Sequence, residues 1–568
     1  MTGIISFIAF SAFFILGWQF GLSPIKKSFE TASQNVKQVE EKLFRLPGVH
    51  LSPDYISETQ HNTDILHYEL NLDLYPEKKI LSGRAVLTGT FINDKPEKLD
   101  LNLYDNMKIK HLSVNGSEVS FIHKDTRLSI ALPNDLPDTF KATIEYEGTP
   151  LRVGLSAFAF GEWNGRSVIY NLSEPTYAST WFPCNDLPDD KAFLDMIITN
   201  DSQYTSVSNG VLIEEKIEGS RKSAHWKVYY PISTYLVSVY SSVYVNFKDY
   251  YYSDISKDTL TIEYYVFPEH LENAKKDFAE HPKFLKFFSE TFGEYPFIKE
   301  KYGVAEFLWQ FGAMEHQTIT GIGSNFVSGR NFFKDVYVHE LAHHWWGNAV
   351  GPKTWKDIWL NEGFSTYSEA LYFEHKSGKN ALISTMLSKY NDDFYGRLYD
   401  PGDNLFSQTI YDKGAWVLHM LRHEVGDSKF FKILRDYFEE FKYKSASTED
   451  FINVCERVSG KDLSRFFDQW VFKGDDQIKL NVKWTIESVD EDKSIISINY
   501  QQTQERYKVF HFPLQIRFSD GKGNYEDAVI FIDEREDKKS VKLNFIPQSA
   551  EADPDRWLLA DIKLLKIN

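Results

Sequence analysis

The sequence predicts a multidomain α+β protein, and three observations carry that prediction. Its 568 residues exceed what one hydrophobic core organises, so several domains are expected. Apolar and polar residues alternate through residues 61–247 and again from 475 to 568, the period of half-buried strands. Between them, over 248–474, apolar residues recur every three or four positions, the period of helices packed by one face.

The first segment, 1–23, holds twenty uncharged residues from Gly3 to Leu22. At about 1.5 Å per residue these reach about 30 Å, enough to span a bilayer. Neither Lys nor Arg precedes Lys26, and no small-residue cleavage pattern follows, so a retained membrane anchor is expected rather than a cleaved signal. Secretion or periplasmic release after cleavage is the alternative. Lys26 and Lys27 leave the side of the membrane open. Residues 24–60 are polar, broken by Pro47, Gly48 and Pro53, and read as a spacer. The β-rich segment 61–247 contains runs such as 65–75, 85–91 and 99–104 between turn residues, the pattern of an antiparallel β domain. In 248–474, helices are predicted over 276–290, around 339 and 362, and from near Lys413, Ser428, Thr448 and Asp462. The last segment returns to alternation at 479–486, 494–500, 514–518 and 528–532, fitting a β-sandwich.

A formal net charge of -18 argues against nucleic acid as a partner, since a polyanion is repelled. The two cysteines, Cys184 and Cys455, supply no disulfide framework.

The chemistry concentrates at His339-Glu340-Leu341-Ala342-His343, with eighteen residues between His343 and Glu362. Residues four apart share one helix face, so His339 and His343 can address one metal ion while Glu340 reaches the same cleft. Glu362 completes three protein ligands and leaves the fourth position to water, as a catalytic zinc site requires. Surface histidines with a solvated glutamate are the bland alternative. Against it, Val336, Val338, Leu341, Ala342, Trp345 and Trp346 bury this helix, and buried His and Glu need partners.

Three other segments carry candidates. Gly312-Ala313-Met314-Glu315-His316 reads as an edge strand near a turn, Tyr411 precedes an amphipathic helix, and Glu174 lies just before the Trp181-to-Pro188 stretch WFPCNDLP. Taken singly, these are a solvated charge, a packing tyrosine and a loop.

Together with the zinc motif and its spacing, GAMEH, the Y-x-K-G context of Tyr411, WFPCNDLP and WLNEGFSTY resemble the aminopeptidase N and leukotriene hydrolase family of gluzincin metallopeptidases. The resemblance covers about residues 60–568. It implies a saddle-like N-terminal β domain, a thermolysin-like catalytic domain and the sandwich, without the large helical C-terminal domain of many members. It also implies one Zn²⁺ per chain on His339, His343 and Glu362, and peptide substrates with a free N-terminus. Glu340 is implied as general base and Tyr411 as donor to the oxyanion. Glu174 and Glu315 would capture the α-amino group, while Gly312, Ala313 and Met314 line the substrate. His316 departs from the usual asparagine; it is expected to tune specificity without becoming a fourth ligand. A non-catalytic scaffold on this fold and an epoxide-hydrolysing relative are the competing readings. Oligomeric state and preferred N-terminal residue are not read from the sequence.

Overall fold

Strand alternation is visible directly in burial along Thr63–Tyr75, where Tyr68, Leu70, Leu72 and Leu74 point inward while intervening residues face outward. A register shift between Ile65 and His67 moves the buried set from odd to even positions, as a bulge requires. This computed structural model describes residues 55–310, 312–490 and 493–567. The expected anchor at 3–22 lies outside them. Among the described residues no helix is long and apolar enough to cross a membrane.

Thr63–Tyr75 sits inside an eight-stranded sheet ordered Val211–Glu218, Arg221–Ile232, Ala192–Asp201, Thr63–Tyr75, Ile80–Phe91, Thr139–Gly148, Met107–Val114 and Ser117–Glu118. One pair departs from the antiparallel expectation: Thr63–Tyr75 runs parallel to Ala192–Asp201, His67 facing Phe193. Parallel neighbours need a long connection, which the sheets formed by the intervening residues provide. The expected spacer also ends earlier than residue 60. Helix Glu58–His61 buries Gln60, whose Nε2 donates to Asn102 Oδ1 and Asn185 Oδ1, so 55–60 pack with the β region.

The boundary drawn at 247/248 cuts strand Val245–Tyr252. This strand pairs along its whole length with Thr259–Val266 and joins the next sheet, so the division falls before Val245. That five-stranded sheet is ordered Val245–Tyr252, Thr259–Val266, Tyr302–Phe307, Thr320–Gly323 and Ala313–Met314, which leaves Ala313–Met314 at the edge. Helices follow at Lys334–Ala342, Trp359–Ser377, Lys379–Ser388, Gly414–Val425, Asp427–Phe441 and Thr448–Ser459. Of these, Lys379–Ser388 was not anticipated. Beyond Ile478, a four-stranded and a three-stranded sheet face each other, with Trp484 edge-on to Phe518 at 5.5 Å. Cys184 and Cys455 are free and buried.

Candidate metal centre and active site

Two helices build the centre. Lys334–Ala342 delivers His339 and Glu340; His343 caps it with helical φ/ψ and an N–H bonded to His339 O at 3.2 Å, so the i, i+4 alignment survives the helix end. The chain then turns through Gly347 at φ 117°, where a Cβ would crowd Asn361 Nδ2 at 3.1 Å. Only glycine adopts this turn readily. A capping box of Thr354 and Asp357 starts the next helical segment, and Trp359–Ser377 carries Glu362 back beside the histidines.

His339 Nε2 and His343 Nε2 face each other at 3.0 Å, with Glu362 Oε2 at 3.5 and 3.4 Å from them. Each ring is fixed from behind. His339 Nδ1 bonds Glu369 Oε1 at 2.9 Å, and His343 Nδ1 donates to Trp346 O at 3.0 Å. Burial opposes protonation of both rings, yet Glu362 and Glu369 lift the His339 imidazole to about 10 and Glu315 and Glu362 raise that of His343, so without a cation both rings carry charge. Beside a bound cation, with each Nδ1 proton committed, each Nε2 would turn a lone pair inward. Such convergence demands a positive charge between them. Glu174, Glu315, Glu340 and Glu369 add four buried carboxylates around Glu362, and the ligand atoms of Glu174, Glu315 and Glu362 lie within 4.8 Å of one another. A divalent cation held by His339, His343 and Glu362 fits this donor set of two imidazoles and one carboxylate.

Electrostatics records the crowding. Burial, then Glu315, Glu362 and Glu340, pushes the Glu174 carboxyl well above the carboxylate range. Burial likewise raises Glu315 against the pull of His343, and lifts Glu340 to about 8 against His339 and His343. Glu362 goes the other way: burial opposes ionisation, yet the two histidines hold its carboxyl at about 2. Burial and then the neighbouring carboxylates keep the Tyr411 phenol protonated as a donor.

Glu174 Oε1 and Glu315 Oε1 are buried and find no hydrogen-bond partner among the described residues. Asn348 Nδ2 donates to Glu315 O at 2.7 Å and ties the edge strand to the turn after His343. Tyr411 lies in a π-helical turn, Thr409–Lys413, its ring 6.0 Å from that of His339 and tilted 19° to it. What brings it there is a contact between two glycines. A Cβ on Gly363 would meet Gly414 Cα at 2.9 Å, so the helices carrying Glu362 and following Tyr411 touch backbone to backbone. Lys413 donates to Gly474 O at 2.5 Å and pins the turn from below.

Ala313 and Met314 form the edge strand, Ala313 opposite Ile322, and Gly312 precedes it, its carbonyl accepting from Gly323 N at 3.1 Å. His316 sits differently from a cleft residue. It is 0 % exposed, its Nδ1 bonds Tyr240 OH at 2.6 Å, and its ring packs edge-on to Tyr240 at 5.5 Å. Burial holds its imidazole at about 3, so it is neutral, and it belongs to none of the metal-binding groups among the described residues. Sequence reasoning missed Glu369, although it lies seven residues beyond Glu362 on the same helix face, and missed Lys389, whose Nζ steadies Glu369 Oε2 at 2.8 Å.

The WFPCNDLP stretch is a buried knot. Asp186 accepts from Tyr55 OH and Thr234 Oγ1 at 2.9 and 2.8 Å, and Asn185 Nδ2 donates to Asp190 Oδ2 at 2.7 Å.

Comparison with known proteins agrees with this architecture. Residues 277–470 match the Peptidase family M1 domain and residues 65–236 the Peptidase M1 N-terminal domain. Glutamyl aminopeptidase of Rattus norvegicus is 29% identical over 475 residues, covering 76% of this chain and 48% of the relative. A probable aminopeptidase 2 of Sulfurisphaera tokodaii is 26% identical over 428 residues, covering 71% and 53%. The chain thus spans about half the length of the curated relatives it matches. Among solved structures, the M1 zinc metallopeptidase of Deinococcus radiodurans superposes with a TM-score of 0.63 at 25% identity, covering 72% of this chain and 93% of that one. Aminopeptidase A of Legionella pneumophila, in complex with aspartic acid, gives 0.76 at 21% identity, covering 90% and 60%. The chain belongs to peptidase family M1.

Proposed function

We propose that this protein is a zinc-dependent aminopeptidase that removes the N-terminal residue of peptides. One observation carries the reading: Glu174 and Glu315, each with a buried Oε1 that has no hydrogen-bond partner among the described residues, offer carboxylate oxygens within 4.8 Å of the same Glu362 that completes the metal set. A substrate ammonium supplies the missing donors through charge-assisted hydrogen bonds, so the scissile bond lies one residue from a free chain end. Zinc on His339, His343 and Glu362 supplies a Lewis acid that acidifies water and polarises a carbonyl. Glu340 takes the proton of the attacking water and passes it to the departing amine nitrogen. The Tyr411 hydroxyl donates to the oxygen that gains charge on the former carbonyl. Gly312 and Ala313 offer edge-strand backbone groups to the peptide, with Met314 beside them. His316 acts on specificity indirectly, by holding this edge through Tyr240.

The same reading divides the chain into a β domain, a catalytic domain and a sandwich. It places the enzyme at a membrane through residues 3–22, or in a secreted or periplasmic compartment if that segment is cleaved.

The test is hydrolysis of aminoacyl substrates with free and N-acetylated ends, with and without a chelator. Cleavage of free ends only, lost on chelation and restored by zinc, is expected. Equal cleavage of blocked ends would refute amine capture. Glu340→Ala is expected to retain zinc while losing about 10³-fold in rate.

A further inference from the structure

Beside the sheet edge lies a second cleft, of about 390 Å³, lined by Arg152, Trp163, Tyr170, Leu308, Trp309 and Ser324 among others. Its position follows from two contacts. A Cβ on Gly312 would meet the Trp309 ring at 3.3 Å, so the Trp309 wall abuts the substrate edge directly. Tyr170 OH donates to Leu308 O at 3.1 Å, which seals the β-domain wall against the catalytic sheet. No lining residue is acidic; Glu269, which accepts from the lining Trp163 Nε1 at 2.7 Å, is already paired with Arg166, whereas Arg152, the one cation lining the cleft, has no ion-pair partner among the described residues. The catalytic cleft has the opposite character, with Glu174, Glu315, Glu340 and Glu362.

Direction links the two. The amine is held at the Glu315 end of the strand Ala313–Met314, which Gly312 precedes, so a peptide paired with this edge must extend back past Gly312 toward Trp309. At about 3.3 Å per residue, two or three residues beyond the scissile bond reach about 7–10 Å along it.

We infer that this cleft receives the distal end of the substrate, and that Arg152 there recognises a carboxylate, making short peptides with a free C-terminus the preferred substrate class. The inference rests on the aminopeptidase reading for its direction. Two sources share the chemistry, the chain terminus and an acidic side chain. An exposed guanidinium paired with one carboxylate favours binding by about five-fold.

The experiment compares Leu-Ala-Ala as free acid and as C-terminal amide, together with Leu-Ala-Glu amide. Hydrolysis is followed with the zinc-loaded enzyme, and binding by calorimetry with the zinc-loaded Glu340→Gln variant. The free acid is expected to win by about five-fold in both kcat/KM and affinity at low salt, less at high salt, and the ratio to fall to about one in Arg152→Gln. Recovery of the preference by Leu-Ala-Glu amide assigns recognition to any carboxylate at that reach; its absence assigns it to the chain terminus. Equal handling of acid and amide, or a preference that persists in Arg152→Gln, overturns the inference. Failure of the wild type to cleave any of these peptides refutes the aminopeptidase reading instead, and the binding comparison still decides the role of Arg152.

Discussion

Two buried acidic clusters among the described residues, one around Asp186 and one around Glu362, are built to opposite rules. Around Asp186 and Asp190, carboxylates meet Tyr55, Thr234, Asn185 and the backbone of Ile65. Around Glu362, the oxygens Glu174 Oε1, Glu315 Oε1 and Glu362 Oε2 are left without hydrogen bonds among the described residues. Burying a carboxylate is costly unless it is paired, so the first cluster is a finished structural joint and the second stores unsatisfied bonding capacity. Between these two clusters, satisfaction, more than burial or charge, separates scaffold from site.

The sharpest way to break the comparison is to neutralise one acid in each cluster. Glu315→Gln is expected to lower kcat/KM for free N-termini by about 10²-fold, through loss of a charge-assisted bond to the ammonium, while leaving or raising the melting temperature. Asp186→Asn is expected to do the reverse, costing about 1–3 kcal/mol of stability with little change in substrate preference. Parallel kinetics and thermal melts check both; a Glu315→Gln enzyme that is markedly less stable would place Glu315 with the scaffold.

A smaller effect is expected where the two helices meet. Gly363→Ala forces a methyl against Gly414 Cα, and backbone cannot yield as a side chain does. Separation of the helices moves Tyr411 away from His339 while the three metal ligands keep their own helices. The expected result is about a ten-fold loss in kcat with zinc content unchanged, because oxyanion donation weakens without vanishing. Metal analysis beside steady-state kinetics decides it; loss of zinc would show that the contact supports Glu362 instead.

That contact also marks the limit of what the sequence makes legible. His339, Glu340, His343 and Glu362 are readable because local spacing on helices fixes their faces, and the alternating strands of 61–247 and 475–568 because period 2 is local too. Of the segment read as an edge strand, Ala313 and Met314 are one. Gly363 with Gly414, Tyr240 beneath His316, and the parallel pairing of Thr63–Tyr75 with Ala192–Asp201 join residues far apart in the chain, and no local period reports them. Glu369 was within reach, since two helical turns separate it from Glu362. His316 read as a cleft residue because its neighbours line the cleft; the ring instead turns into the core, where Tyr240 bonds it.

The satisfied cluster has a weakness of its own, and pH exposes it. Burial lifts the Asp190 carboxyl to about 8, with Asp64 and Asp189 adding to the rise and bonds from Asn185 and Ile65 N opposing it. In the unfolded chain the same group titrates near 3.8. Between those values the folded state holds a proton that the unfolded state has released, so stability falls as pH rises. The contribution is fully present below about pH 4 and is lost on passing toward pH 8. Asp190→Asn keeps an acceptor for Ile65 N, whose bond spans 3.1 Å, and removes the titration. Urea melts at pH 5 and pH 8 are expected to show the wild type losing about 1–3 kcal/mol more than Asp190→Asn across that interval. Equal losses in the two proteins would move the titration to another group. The catalytic carboxylates are not expected to share this slope once zinc is bound, because a divalent cation favours their ionised forms in the folded state.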